Sequence, residues 1–172
     1  MCGCNQRKIR EMNVIDKYDQ LNFNVVLVEP QIPNNTGNIG RLCVATKSRL
    51  HLIHPLGFEI TDARVKRAGL DYWPDLEICH HDNFDAWVKT IDPLASIYFF
   101  SARAEKSFYK SKLKQGDYLI FGKEAEGLDP EIIEKFKENL VTIPFPGKVR
   151  SFNLANAVAM TLGEGMRQLT NI

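Results

Sequence analysis

The sequence predicts an α/β protein: a parallel sheet with helices on both faces. Two observations carry that expectation. Short apolar runs alternate along the chain with stretches whose apolar residues recur every three or four positions. The most informative loops follow the ends of apolar runs, where open parallel sheets place their ligand sites. Neither an internal repeat nor a low-complexity linker interrupts the pattern, so residues 21–172 read as one domain behind a polar leader over residues 1–20. Met12 within that leader is an alternative start.

In chain order, Asn24-Val25-Val26-Leu27-Val28 reads as a buried strand that ends in a turn from Pro30 to Gly37. Either Asn35 or Thr36 then caps a helix whose inner stripe is Ile39, Leu42, Cys43 and Thr46. Leu50 to Ile53 is a second strand, followed by a loop through Pro55 and Gly57 and a basic helix around Asp62 to Ala68. Leu76 to Cys79 is a short third strand. Phe84 to Thr90 is a short helix with Trp87 and Val88 turned inward. Ser96 to Phe100 forms a fourth strand, and the Lys-rich segment to Lys114 a loop with one helical turn. A strand from Tyr118 to Phe121, a helix from Pro130 capped by Asp129, and a strand at Leu140 come next. In the last helix Phe152, Ala155, Val158, Ala159, Leu162, Met166 and Leu169 share one face.

Composition excludes several classes. The chain has 172 residues, 44% of them hydrophobic and 25% charged, as in an ordinary soluble protein. No apolar run approaches the ~20 residues of a membrane-spanning helix, and nothing resembles a signal peptide, so a cytoplasmic protein is expected. The Cys2-x-Cys4 pair has no second pair at metal spacing, so no metal is expected. His51, His54, His80 and His81 read as surface or turn histidines, with His51 and His54 facing opposite ways. A net charge of +1 excludes a globally basic nucleic-acid binder. Charge is segregated, however. Residues 41–67 carry six basic side chains against two acidic, residues 103–114 five against one, and residues 117–138 three against seven. Such segregation makes a basic face on a neutral protein, although solvated helix faces give similar counts.

Two loops stand out. The run Ile143-Pro144-Phe145-Pro146-Gly147-Lys148-Val149-Arg150-Ser151-Phe152-Asn153 leaves a strand and reaches two candidate helix caps, Ser151 and Asn153, so its backbone opens onto a helix N-terminus. The run Gly122-Lys123-Glu124-Ala125-Glu126-Gly127-Leu128 sets two glycines around two carboxylates directly after a strand. It matches neither a Walker A loop nor G-x-G-x-x-G, which makes phosphate cradling the weaker reading.

Taken together, Asn35-Thr36-Gly37-Asn38-Ile39-Gly40-Arg41-Leu42, Phe121-Gly122-Lys123-Glu124-Ala125-Glu126-Gly127-Leu128, and Ile143-Pro144 continuing to Ser151-Phe152-Asn153-Leu154-Ala155-Asn156 resemble, in that order, the three motifs of SPOUT-type RNA 2′-O-methyltransferases. Glu29-Pro30-Gln31-Ile32-Pro33 and Arg67-Ala68-Gly69-Leu70-Asp71-Tyr72 are similar to the small TrmL/YibK branch, whose enzymes methylate the wobble nucleotide of leucine tRNAs. The resemblance covers residues 24–169.

This resemblance implies a C-terminal deep trefoil knot, a rare exception to the rule that chains do not thread their own loops. It implies S-adenosylmethionine (SAM) as cofactor, held by Phe100, Ser101, Gly122, Ile143 and Ser151, with Gly127, Phe145 and Asn153 shaping the loops. Arg41 matches the catalytic arginine, and its competing reading is a surface ion pair. A homodimer with shared active sites is implied, with the tRNA anticodon loop as substrate and either cytidine or a modified uridine as target. The alternatives are a 2′-O-methyltransferase for another tRNA or rRNA position and a non-catalytic RNA-binding protein on the same fold. No residue suggests itself as the proton acceptor. The chain departs from the pattern at Lys123, where relatives commonly carry proline, and at Gly163 and Gly165 in the last helix, where relatives carry a tyrosine and a tryptophan nearby.

Overall fold

The computed structural model describes residues 22–59 and 72–170. The leader over residues 1–20, the basic helix expected around Asp62 to Ala68 and most of the run Arg67 to Tyr72 lie outside the described residues. Six parallel strands form one sheet in the order β3-β2-β1-β5-β4-β6: β1 Asn24–Val28, β2 Arg49–Ile53, β3 Ile78–His81, β4 Ile97–Phe100, β5 Tyr118–Phe121 and β6 Leu140–Val141. The chain builds outward from β1 through β2 and β3, then fills the other side with β4 to β6. That reversal creates a switch point between β1 and β5, where loops from both halves can meet.

The central strands β1 and β5 are buried throughout and read as nearly continuous apolar runs because both faces are covered. On one face Val25, Leu27, Leu50, Leu52, Leu119 and Phe121 pack with Ile39 and Cys43 of helix α1 (Pro33–Ala45) and with Val158 and Leu162 of the C-terminal helix α4 (Leu154–Thr170). On the other, Val26, Val28, Ile53, Phe99 and Ile120 meet Trp87 of α2 (Phe84–Val88) and Ile132 of α3 (Pro130–Lys135). Trp87 and Phe99 are fully buried, with rings edge-on at 6.4 Å between centroids. Each such side chain contributes about 1.5–3 kcal/mol of burial.

Several boundaries differ from the expectation, each for a tertiary reason. Helix α1 starts at Pro33, so the turn expected as far as Gly37 is already helical and neither Asn35 nor Thr36 is its cap. Both are buried, and the Tyr72 hydroxyl donates to the Gly37 carbonyl, so neighbours hold turn-forming residues in helical backbone. The third strand lies at Ile78–His81, two residues beyond the expected run, because its parallel register pairs Leu50 with Ile78 and Ile53 with His81. His51 is a buried core residue rather than a surface histidine. Its ring pairs with His81 Nε2 at 2.9 Å and Asn24 Oδ1 at 3.1 Å, and burial pushes its pKa down to about 3, so it is neutral. His54 does point the other way, to His80 at 2.9 Å. Asp129 precedes α3 but its side chain makes no capping bond.

The two glycines of α4 have opposite environments. A Cβ at Gly165 would lie 2.7 Å from the Phe23 ring, whereas one at Gly163 would meet nothing. Gly165 is therefore where the helix comes down onto β1's entrance, and Gly163 faces open space.

Candidate functional site

Three loops leave the carboxyl ends of β4, β5 and β6 and enclose a cavity of about 850 Å³. Of the expected binding residues, Phe100, Ser101, Gly122, Gly127, Ile143, Phe145 and Ser151 all line it. Its floor is apolar: Phe100 and Phe121 stack at 4.5 Å with planes 9° apart, and Ile143 is buried beside them. Ser101 is fixed by its N–H donating to Val141 O at 3.0 Å, while its Oγ accepts from Arg103 N at 3.2 Å.

The β5 loop is closed on itself. Lys123 N donates to Gly127 O at 3.0 Å and Gly127 N donates back to Lys123 O at 2.9 Å. Gly127 sits at φ 78°, in the left-handed region that favours glycine. A Cβ on Gly122 would fall 2.2 Å from the Gly127 carbonyl carbon, so only glycine permits the crossing. Lys123 reaches Asp129 Oδ1 at 2.8 Å and Glu29 Oε2 at 3.1 Å. Asp129 first, then Glu29, holds its ammonium above the ordinary lysine range. The lysine thus ties the loop by charge, and its N–H supplies a bond that proline lacks.

Glu124 carries the second tie, one that the sequence reading did not single out. Its carboxylate accepts from Gln31 N at 2.8 Å, Ile32 N at 3.1 Å and Asn35 Nδ2 at 3.1 Å. Asn35 Oδ1 in turn accepts from Asn153 Nδ2 at 3.0 Å, and Asn153 Oδ1 caps α4 by accepting from Ala155 N at 3.0 Å and Asn156 N at 3.3 Å. Asn153 lies outside the cavity lining and joins its parts from behind, while Ser151 faces the cavity and makes no cap. The signal available in sequence was a carboxylate in a glycine-bounded loop with an asparagine at the head of a helix.

Arg41 does not line the cavity. It is exposed on α1, its guanidinium 4.9 Å from the centre of the Tyr72 ring, six residues or about 9 Å along the axis from Asn35. At the cavity's rim stand Arg103 and Arg150, both exposed. Among the described residues no group of three or more His, Cys, Asp or Glu side chains could hold a metal, and no helix is long and apolar enough to cross a membrane.

A parallel sheet whose carboxyl-end loops line one largely apolar cavity is the ligand-binding arrangement of open α/β proteins. The SpoU rRNA methylase family matches residues 22–163, and the chain belongs to that family. Among its relatives is a tRNA (cytidine(34)-2′-O)-methyltransferase of Saccharophagus degradans, 45% identical over 86% of this chain and 96% of the relative. A solved structure described as giving insights into the 2-OH methylation of C/U34 on tRNA superposes with a TM-score of 0.82 at 45% identity, covering 87% of this chain and 97% of that one. The SpoU methyltransferase AviRb of Streptomyces viridochromogenes, solved in complex with AdoMet, shares the fold with a TM-score of 0.76 at 20% identity, over 87% of this chain and 59% of its own.

Proposed function

We propose that this protein is a SAM-dependent methyltransferase of the ribose 2′-hydroxyl at position 34 of tRNA, cytidine or modified uridine, acting on leucine isoacceptors in the cytoplasm. The observation that carries the reading is the meeting of Phe100, Ser101, Gly122, Gly127, Ile143, Phe145 and Ser151, from three separate motifs, around one cavity in a chain so similar to enzymes of that name.

The residues present fit SAM. The stacked Phe100 and Phe121 and buried Ile143 suit an adenosyl group, and the backbone of the 122–128 and 143–151 loops offers donors and acceptors for a base edge. When bound, SAM supplies the activated methyl group. The chain's own work is to orient the ribose hydroxyl, keep water away and stabilise charge as the hydroxyl loses its proton. A guanidinium is suited to the last task because it can hold a phosphate in a bidentate grip beside a developing alkoxide.

Arg41 stands outside its own chain's cavity, which fits an arginine that serves the partner's site in a homodimer. The proposed trefoil knot is supported by the loop 101–117, whose residues bond to the C-terminal segment on successive levels: Phe108 N to Thr142 O at 2.8 Å, and Leu113 N to Gln168 Oε1 at 2.9 Å.

Transfer of labelled methyl from SAM to tRNA transcripts, with the product mapped by ribose-methylation sequencing, tests the reading. Label at ribose 34 of leucine tRNAs is expected, and label confined to another position overturns it. Arg41→Ala should lower turnover at least about 100-fold with an unchanged melting midpoint. Wild-type single-turnover rates in that variant would remove Arg41 from the chemistry.

A further inference from the structure

Outside the cavity, one surface combines basic charge, an aromatic ring and a rigid backbone. Residues 103–114 run from the cavity rim along the β4/β6 edge, and they hold five of the chain's basic side chains against Glu105 alone. The segment turns at Ala102–Arg103, bends at Glu105–Lys106 and makes one helical turn at Phe108–Lys110, after which residues 111–114 carry no regular structure. It is pinned from beneath at close intervals. Phe108 is 1% exposed, packed 4.9 Å from the Phe100 ring, and Leu113 is 7% exposed. Thr142 N donates to Lys106 O at 2.8 Å, and Gln168 Nε2 donates to Ser111 O at 3.1 Å.

With Phe108 and Leu113 turned inward, Arg103, Tyr109, Lys110, Lys112 and Lys114 are left exposed. Tyr109 presents 45% of its surface between the lysines. Lys106 is occupied: its Nζ donates to the Glu138 carbonyl at 2.8 Å and to its carboxylate at 3.2 Å. Arg103, Lys110, Lys112 and Lys114 have no acidic partner among the described residues, and the nearby Asp117 is buried, its carboxylate accepting from Ser96 N and Lys114 N. Lys106 and Lys110, with Ser107 and Ser111, also line a groove of about 690 Å³ beside the strip.

We propose that this strip is a docking rail for RNA backbone: Lys110, Lys112 and Lys114 neutralise successive phosphates of the strand leading away from the methylated nucleotide, and Tyr109 stacks on a base of that strand. The inference rests on the tRNA methyltransferase reading, which names the substrate but not the surface that holds it. Three physical features favour RNA over mere solvation. The lysines sit on fixed backbone, so ordering them costs less on binding than ordering a free loop. A stacking platform interleaved with cations is the arrangement that single strands require. Arg103 belongs both to the strip and to the cavity, so a chain bound on one continues into the other.

The test is the salt dependence of binding of the full chain to an unmodified leucine tRNA transcript. Each neutralised phosphate adds about 0.7 to the slope of log K against log salt for a single strand, so Lys110→Gln/Lys112→Gln/Lys114→Gln should lower the slope by about two. SAM affinity by calorimetry should be unchanged. Tyr109→Leu should weaken binding about tenfold with the slope intact. The control Lys89→Gln/Lys135→Gln should leave the slope as in wild type. An unchanged slope in the triple variant, or an equal fall in the control, overturns the rail. Should the triple variant unfold, Lys110→Gln and Lys114→Gln singly, each expected to remove about 0.7, decide the matter in the same way. A wild type that binds with the full slope but transfers no methyl group overturns the methyltransferase reading and leaves the rail standing.

Discussion

Two walls of the same cavity are built on opposite principles. The wall from Gly122 to Leu128 is tied internally by the paired Lys123–Gly127 bonds, across to β1 and α3 by Lys123, and to the head of α1 by Glu124. The facing wall from Pro144 to Phe152 makes no hydrogen bond with another described residue. Prolines stiffen it, and an edge contact between Phe145 and Phe152 at 5.6 Å spans its ends. Residues 146–151 are all exposed. A wall held by charge-assisted bonds keeps its shape whether or not a ligand is present. A wall that keeps its polar backbone free has those groups left to give to a ligand. The pair divides the labour of recognition into a fixed template and a set of open donors and acceptors.

The sharpest way to break that comparison is Gly122→Ala. The added methyl would sit 2.2 Å from one backbone atom of the fixed wall and 2.3 Å from another, and no flexible side chain can yield. A loss of at least about 3 kcal/mol in unfolding free energy, measured by urea titration, is expected together with loss of SAM binding. Unaltered stability would show that the crossing of the two glycines is loose.

Glu124→Gln is the next largest. It keeps the side chain's size but replaces a carboxylate with an amide, which has one acceptor oxygen for the three donors Gln31 N, Ile32 N and Asn35 Nδ2. A cost of about 1–2 kcal/mol is expected, with weaker SAM affinity because the β1–α1 turn and the cap residue Asn153 lose their common anchor. Equal cost with unchanged SAM affinity would confine Glu124 to stability.

These two residues show where the sequence was legible and where it was not. The strands β1 and β5 announce themselves because both faces are buried, which makes each a nearly unbroken run of apolar residues with no competing period. Gly122 and Gly127 were legible as loop glycines. The start of α1 was not, since Asn35, Thr36 and Gly37 are turn formers by local propensity and helical only through partners up to 118 residues away, as in the Asn153–Asn35 bond. Glu124 was passed over for the same reason: its partners lie 89 to 93 residues off, and no local spacing encodes them. His51 reads as polar in a strand, and only the register that sets Asn24 and His81 beside it explains its burial. In sequence Lys123 reads only as a departure from the resembled pattern. The structure makes it a tie to carboxylates before and after it in the chain.

The smallest effect should come from Gly147→Ala, the counterpart of the first substitution on the open wall. A Cβ there meets nothing within 4 Å, and the backbone is not in the left-handed region. Alanine therefore costs no contact in the folded chain and removes some freedom from the unfolded one, for a gain of up to about 0.5 kcal/mol. SAM affinity should change less than twofold if the wall uses its backbone groups in the conformation seen here. If the wall must instead rearrange through a glycine-only conformation to meet its ligand, the same small gain in stability will come with a tenfold or greater fall in affinity. The same methyl group, placed on the two walls, thereby separates a template that tolerates no atom from a surface whose demands appear only on binding.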